Sequence, residues 1–360
     1  MNITKIELLN FRCYKNFKID KLTNLNLITG SNGIGKTSII EAIYVGSLAK
    51  TFKSSDDLSM IKNEEIYSNI KLKLFDGYIF KNLEFYIDNK GKKTKINDKL
   101  QPRLSDYISQ YNVILLSPDE LKIIKSSPVI RRNYLNIQIS QLNKEYLRIL
   151  NDYNKLIKNK NQFLKKINLN SNLDSNYIDI VNEKIVDLGL TIYKYRQSYI
   201  DSINNYINKY FNIFNKKDNI FIKYDSDFKI DNREKLINIL RKNKNKEIIL
   251  GMSNFGIHRD DFLFIHNNMN SKDYSSQGTQ KLIILSMKLA EIDVFRNEYN
   301  RNPIILLDDL FSELDVKNRN KIFKSIDNSS QVFITTTDVK NIDKNILKKV
   351  KIFDIDERKK

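Results

Sequence analysis

Gly30 and Gly35 are separated by four residues in the stretch Gly30-Ser31-Asn32-Gly33-Ile34-Gly35-Lys36-Thr37-Ser38, and a lysine and a hydroxyl follow the second glycine directly. Glycines at this spacing let a loop turn its backbone N–H groups inward, the arrangement that cradles a phosphate chain. Lys36 then has the reach for the β- and γ-phosphates of ATP, and the Thr37 hydroxyl is a ligand type for Mg2+. The flanks agree: Leu25–Thr29 alternates apolar residues as a strand does, and Thr37–Tyr44 has helix-forming character. A helix N-terminus at this point adds a dipole that favours negative charge. With only 10 glycines among 360 residues, a chance match is expected in about one such chain in a few hundred. All nine residues from Gly30 to Ser38 are therefore taken as the nucleotide-binding loop.

A second cluster lies far downstream, at Ile304-Ile-Leu-Leu-Asp308-Asp309. A buried strand ending in two acids places Asp308 as the carboxylate that holds Mg2+ together with Thr37, and Asp309 as the general base toward water. An acid at a strand end is commonly just a turn residue; the pairing with an upstream glycine loop gives this one its weight. Lys36, Asp308 and Asp309 are the expected catalytic residues. Ser276, Gln277 and Gly278 open a long helical run to Glu291 and form a second candidate anion-binding N-terminus.

The elements that must position these groups follow from periodicity. The first third reads as short strands and turns, including Asn69–Phe75 and Leu83–Ile87, the latter ending in the hairpin-like Asp88-Asn-Lys-Gly91. From Leu142 the apolar residues Tyr146, Ile149, Tyr153, Leu156, Phe163 and Ile167 recur at helical spacing, with Lys160 taking one seam position. A second helical series runs through Val181, Leu188, Ile192, Tyr195, Tyr199 and Tyr206, and the turn-forming Asn168–Asn176 lies between them. Pro303–Leu307 and Gln331–Thr335 read as buried parallel strands. The expected architecture is α/β: residues 1–120 and 246–360 form one discontinuous ATPase domain, and residues 121–245 form an inserted helical lobe, a short antiparallel hairpin.

Composition bounds the function. Lys and Arg total 61 against 43 Asp and Glu, and the net charge of +18 suits a polyanion or a solvated surface equally. Arg131, Arg132 and the lysines from Lys155 to Lys166 are the candidate DNA contacts. One cysteine, Cys13, excludes an internal disulfide. The start of the chain reads directly into Ile3–Leu9 without the pattern of a signal peptide, and no run is long and apolar enough to span a bilayer, so a cytoplasmic location is expected.

The residues from Ser276 to Gly278 resemble the signature motif of the ATP-binding-cassette (ABC) ATPases, and Leu310-Phe-Ser-Glu-Leu-Asp315 resembles the dimer-contact loop of the same superfamily. More specifically, the chain resembles the RecF family in the SMC-like branch. The likeness rests on Asn10-Phe-Arg-Cys-Tyr14, the glycine loop continuing to Tyr44, Leu116–Lys122, Arg131-Arg132, His258-Arg-Asp-Asp261, Ser276–Gly278, Leu306–Asp315 and Gln331–Thr337. The resemblance implies an ABC/SMC-type P-loop ATPase head with a short helical lobe. It implies an ATP-dependent homodimer in which Ser276, Gln277, Gly278 and Asp315 of one copy cover nucleotide held by the other. It further implies slow, DNA-stimulated hydrolysis on single-stranded and gapped duplex DNA. Its partners would be RecR and RecO type mediators, and its work would be recombinase loading in recombinational repair, replication-fork recovery and SOS induction.

The sequence also departs from the superfamily pattern. Asp309 stands where many cassette ATPases have Glu, Ser117 or Asp119 would have to replace a glutamine, and Thr336 and Thr337 stand where transporters carry a switch histidine. Arg12 is either a phosphate contact or an ordinary surface arginine. Two rival readings are a cytoplasmic ATPase subunit of a membrane transporter and a structural DNA-binding protein with a vestigial site. His258-Arg-Asp260 lacks the asparagine of a kinase catalytic loop, since Ile265 stands there.

Overall fold

The computed structural model of the protein describes residues 1–169, 176–216, 218–310, 314–326, 329–337 and 347–356. Its packing forms two compact units: Met1–Lys122 with Tyr206–Asp218 and Gln277–Lys360, and Ile123–Asn205 with Asn219–Ser276. These limits differ from the expected boundaries in two segments. Residues 206–218 join the first unit because Lys209 pairs with Asp293 at 2.7 Å and the Lys321 ammonium lies over the Phe214 ring. Residues 246–276 join the second because Glu247 pairs with Lys160 and the strand Asp261–His266 pairs with Ile220–Asp225.

The first unit contains two sheets. Strands β1 (Asn2–Phe11), β2 (Tyr14–Asp20), β4 (Tyr67–Phe75), β5 (Phe80–Asp88), β6 (Gly91–Ile96) and β7 (Lys99–Leu100) form an antiparallel sheet in the order β2-β1-β4-β5-β6-β7. Alternation decides its buried face: Ile70, Leu72 and Leu74 on β4 and Leu83, Phe85 and Ile87 on β5 are buried, and the residues between them are not. Strands β3 (Leu25–Thr29), β8 (Val113–Leu116), β12 (Ile304–Leu307), β13 (Val332–Thr336) and β14 (Lys351–Asp354) form a parallel sheet in the order β14-β3-β13-β12-β8. Here the sequence is apolar without alternation, because both faces are covered; Ile304, Ile305, Leu306 and Leu307 are each at most 1% exposed.

Helix α1 (Lys36–Leu48) packs against β1, β4 and β5 of one sheet and β8 and β13 of the other. Ile39, Ile40, Ile43 and Val45 are accordingly fully buried, each stabilising the fold by about 1.5–3 kcal/mol relative to exposure. The unit is completed by α2 (Leu104–Tyr107), the end of α5 (Asn176–Phe214), α8 (Gln277–Asp293) and α9 (Val316–Ser325).

The second unit holds α3 (Pro128–Leu142), α4 (Lys144–Leu169), most of α5, α6 (Arg233–Leu250), α7 (Ser271–Tyr274), and a small sheet of β9 (Ile220–Asp225), β10 (Asp261–His266) and β11 (Met269–Asn270). Helices α4 and α5 are antiparallel as expected: Tyr146 meets Tyr195 near one end and Phe163 meets Tyr177 at the other. Residues 170–175 of the expected turn lie outside the described residues. The buried stripe of α4 is Tyr146, Leu150, Tyr153, Ile157, Lys160, Leu164 and Ile167, shifted from the expected set at Ile149, Leu156 and Phe163. Leu150, Ile157 and Leu164 take those places, one residue on around the helix, while Tyr146, Tyr153, Lys160 and Ile167 are common to both sets; Lys160 is fully buried against Glu247 at 2.6 Å.

A polar network explains the remaining motifs of this unit. Arg131 grips Asp261 with two bonds of 2.7 Å and is 4% exposed. Arg132 donates to the Asp260 carbonyl at 2.6 Å. Asp260 accepts from Arg196 at 3.1 Å and from the Tyr224 hydroxyl, and burial, opposed by these partners, still pushes its carboxyl up to about 6. Arg131 is thus spent inside the unit, which corrects its reading as a DNA contact, whereas Arg132 is half-buried. The exposed cations of the named stretch are Lys155, Lys158, Lys165 and Lys166.

Removing one member of a buried ion pair leaves the other charge unpaired. Lys160→Met is expected to lower the unfolding free energy by about 3–5 kcal/mol, and Lys160→Met/Glu247→Leu to recover most of the loss. Chemical denaturation of the two variants measures both.

Candidate nucleotide-binding site

Parallel pairing sets the site. Thr29 at the end of β3 is level with Thr336 at the end of β13, and Leu307 at the end of β12 is level with Ile334 and Leu116. Chain continuing past these ends therefore converges at one edge, where open parallel sheets bind ligands. A cleft of about 540 Å³ lies there, lined by Asn32, Gly33, Gly35, Lys36, Thr37 and Ser38 of the loop together with Asp309 and Thr335. Its other wall is Arg12, Cys13, Lys53, Ser59, Ile61, Lys62 and Asn63.

The glycine loop has the backbone its sequence implied. Gly33 and Gly35 have φ of +78° and +112°, which side chains rarely tolerate. At Gly35 space is limiting as well, since an added Cβ would lie 2.5 Å from Cys13 Sγ. The turn between β1 and β2 therefore packs directly on the loop. Gly35 occupies the N-cap of α1, and the first turn of that helix carries no acid, so its dipole is available to an anion. Lys36 is 8% exposed, and its ammonium donates to the Gly30 and Ser31 carbonyls at 2.8 and 2.9 Å. Burial lowers its pKa, against the raising effect of Asp309, Asp356 and Asp308.

Asp308 and Asp309 are held differently. Asp308 is 5% exposed and accepts from Thr335 Oγ1 at 2.8 Å, while the Asp309 N–H donates to the same Thr335 oxygen at 2.9 Å. Burial raises the Asp308 pKa, opposed by hydrogen bonds from Thr335 and Thr37. Asp309 adopts φ of +46°, a conformation that costs an L-residue roughly 1–3 kcal/mol and clusters at functional positions. Thr37 and Asp308 are hard oxygen donors within hydrogen-bond reach of each other, a donor set that suits Mg2+ completed by phosphate and water.

Arg12 lines the cleft and is not an ordinary surface arginine. Its guanidinium is bound to the fully buried Glu41 of α1 at 2.9 and 2.6 Å and to the Ser59 carbonyl, so it braces the cleft wall. Ser117 is buried and accepts from the Glu120 N–H at 3.4 Å, and Asp119 pairs with Lys122 at 2.8 Å. Neither lines the cleft, so neither replaces a glutamine there. Ser276, Gln277 and Gly278 are exposed at the start of α8, and Asp315 is exposed and caps α9 by accepting from the Asn318 N–H at 2.8 Å. None of the four lines the cleft. Residues 311–313 of the dimer-contact stretch lie outside the described residues. Thr335, Lys53 and the wall residues Ser59, Ile61, Lys62 and Asn63 were missed in sequence; only Thr335, inside a strand already identified, carried a signal.

Comparison with known proteins now bears on this geometry. The sequence matches the family described as RecF/RecN/SMC N terminal domain over residues 2–359. It is 36% identical over 342 residues, 93% of each chain, to the DNA replication and repair protein RecF of Acholeplasma laidlawii. The chain belongs to the RecF family. The RecF of Staphylococcus carnosus is 32% identical over 99% of each chain. A solved structure of the recombination mediator protein RecF with ATP in the RecFOR pathway superposes with a TM-score of 0.89 at 30% identity, covering 95% of this chain and 93% of that one. An SMC head domain from Pyrococcus furiosus, at 18% identity and a TM-score of 0.52, shares the fold. The expected fold class, an ABC/SMC-type ATPase head, is therefore established, and these matches give no support to the transporter alternative. Among the described residues no helix is long and apolar enough to cross a membrane.

The Asp308 environment yields a pH-dependent expectation. A folded-state pKa raised by burial means that this group favours folding at acid pH and that its contribution is lost as pH rises through the folded pKa. Asp308→Asn should therefore melt above the parent near neutral pH, the gap closing as pH falls toward the ordinary aspartate pKa of about 3.9. Thermal melts across pH check this, and a lower melting temperature at neutral pH would contradict it.

Proposed function

We propose that the chain is an ATP-dependent DNA-binding protein of the RecF type, a slow ATPase that dimerises with ATP on single-stranded and gapped duplex DNA. The observation that carries this reading is the convergence of Lys36, Thr37, Asp309 and Thr335 on one cleft, with Asp308 fixed beside them by Thr335. The backbone from Gly30 to Ser38 would wrap the phosphates, and Lys36 would exchange its two carbonyl partners for phosphate oxygens. Thr37 and Asp308 would hold Mg2+, which when bound offsets the charge of the β- and γ-phosphates. Asp309 would orient water as general base.

The first unit would be the ATPase body and the second the helical lobe. Ser276, Gln277, Gly278 and Asp315 would act on nucleotide held by a second copy. Their exposure and their absence from this chain's cleft lining support that role. The net charge of +18 and exposed lysines such as Lys155, Lys158, Lys165 and Lys166 support DNA as partner. Because such contacts go to phosphate, affinity should fall by roughly 0.9 log units per log unit of salt for each phosphate neutralised. RecR and RecO type mediators are the proposed protein partners, in keeping with the RecFOR pathway named for the solved RecF relative. Recombinase loading in cytoplasmic DNA repair and replication is the proposed setting.

Steady-state ATP hydrolysis with and without gapped duplex DNA tests the reading. DNA should stimulate the parent, and Lys36→Arg should lose about 100-fold in rate; a rate indifferent to DNA would sever the nucleotide site from DNA. In gel filtration with ATP, Lys36→Met and Ser276→Arg should remain monomeric where the parent dimerises, and a dimer in both would refute the shared-site arrangement.

A further inference from the structure

The last described strand returns to the glycine loop. β14 runs parallel to β3 with Asp354 level with Thr29, and the Ile355 N–H donates to the Thr29 carbonyl at 2.9 Å. Asp356 is thereby delivered to the first turn of the loop. Its Oδ2 accepts from the Ser31 N–H at 2.8 Å and its Oδ1 from Ser31 Oγ at 2.8 Å. The Asp356 N–H donates back to Asp354 Oδ1 at 2.9 Å, which fixes the turn that presents the carboxylate. The fit is close, since a Cβ on Gly30 would lie 3.4 Å from Asp356 Oδ2 and 3.1 Å from Ile34 Cγ2.

Lys36 holds Ser31 by its other polar group, donating to the Ser31 carbonyl and to that of the neighbouring Gly30. Two charged side chains thus grip one short segment, Asp356 by its donors and Lys36 by its acceptors. Only Lys36 must let go when an anion enters, because its ammonium is the group that reaches the phosphate.

We propose that Asp356 is a positioning residue of the nucleotide site, anchoring Ser31 so that the glycine loop keeps its binding shape when Lys36 transfers to phosphate. This inference rests on the reading of the cleft as an ATP site. Bonds to a charged acceptor are shorter and stronger than neutral ones, so one carboxylate suffices as the anchor. Because Asp356 is exposed, its loss should alter the loop without unfolding the protein.

The test uses the full chain and two independent readouts: ADP and ATP affinity by calorimetry, and amide hydrogen exchange of residues 30–35 without nucleotide. Asp356→Ala should bind ADP and ATP about fivefold more weakly, with unchanged melting temperature, unchanged kcat at saturating ATP and faster loop exchange. Asp356→Asn, which keeps one acceptor, should fall between Ala and the parent. Ser31→Ala, which keeps the N–H, should have a smaller effect, and adding it to Asp356→Ala should cost nothing further. Parent-like affinity and exchange in Asp356→Ala overturns the proposal, as does tighter nucleotide binding, which would make the carboxylate a repulsive neighbour instead. If the parent binds neither nucleotide, the ATP reading fails, and loop exchange in Asp356→Ala still decides whether the anchor exists.

Discussion

The parallel register of β3, β12 and β13 is the constraint on which the rest of the molecule depends. Strands paired at equal height must end at equal height, so the loop after Thr29, the acids after Leu307 and the side chain of Thr335 share one edge. A slip of one residue in β12 would also turn Asp308 from its buried position against Thr335 toward the opposite face. The apolar run is only four residues long and fully enclosed, so such a slip would draw the charged Asp308 into it at a cost in desolvation. Site geometry is thus a by-product of packing: the same isoleucines and leucines that fill the core set where the carboxylates emerge.

Charge balance is the second theme. Lys36 and Asp308 are both nearly buried, and each is driven by desolvation toward its neutral form. Among the described residues neither has a direct ion-pair partner; main-chain carbonyls hold the cation and hydroxyls hold the anion. Such an edge keeps its charges in reserve for a ligand that carries both phosphate and metal. By contrast, Arg12 with Glu41, Arg131 with Asp261 and Lys160 with Glu247 are closed pairs, and these brace the structure. The same contrast extends to α8: Lys288, 1% exposed, is tied to Glu120 at 2.5 Å, fixing the body of the helix whose exposed start carries Gln277 and Gly278.

Much of this was legible in the sequence because the informative signals were local. The glycine loop, the apolar strand before Asp308 and the two helices are each contained in a short window, and each formed where the sequence placed it, although the buried face of α4 runs through Leu150, Ile157 and Leu164 rather than Ile149, Leu156 and Phe163. The misreadings have a common cause, which is that a charged side chain does not declare its partner. Arg131 looks like a phosphate ligand until Asp261, far along the chain, is brought beside it. Arg12 is indistinguishable from a surface cation until Glu41 is seen to be buried. Lys160 was recognised in a seam position, but nothing local could show that Glu247 makes that position tolerable. Asp356 was invisible for the same reason, standing 325 residues from Ser31.

The position of β3 between β13 and β14 also bears on how the chain is made. Both of its sheet neighbours are synthesised some hundreds of residues after it, at Val332–Thr336 and Lys351–Asp354. During translation the apolar strand Leu25–Thr29 and the glycine loop behind it have no partners in the parallel sheet, whereas β1, β2 and β4–β6 can pair early among themselves. Contacts this distant in sequence are slow to form and leave strand edges open meanwhile. The antiparallel sheet is then the part that can settle on the ribosome, and the phosphate loop is among the last features to mature. A nascent chain thus has no finished nucleotide pocket until Lys351–Asp354 has emerged to pair with β3.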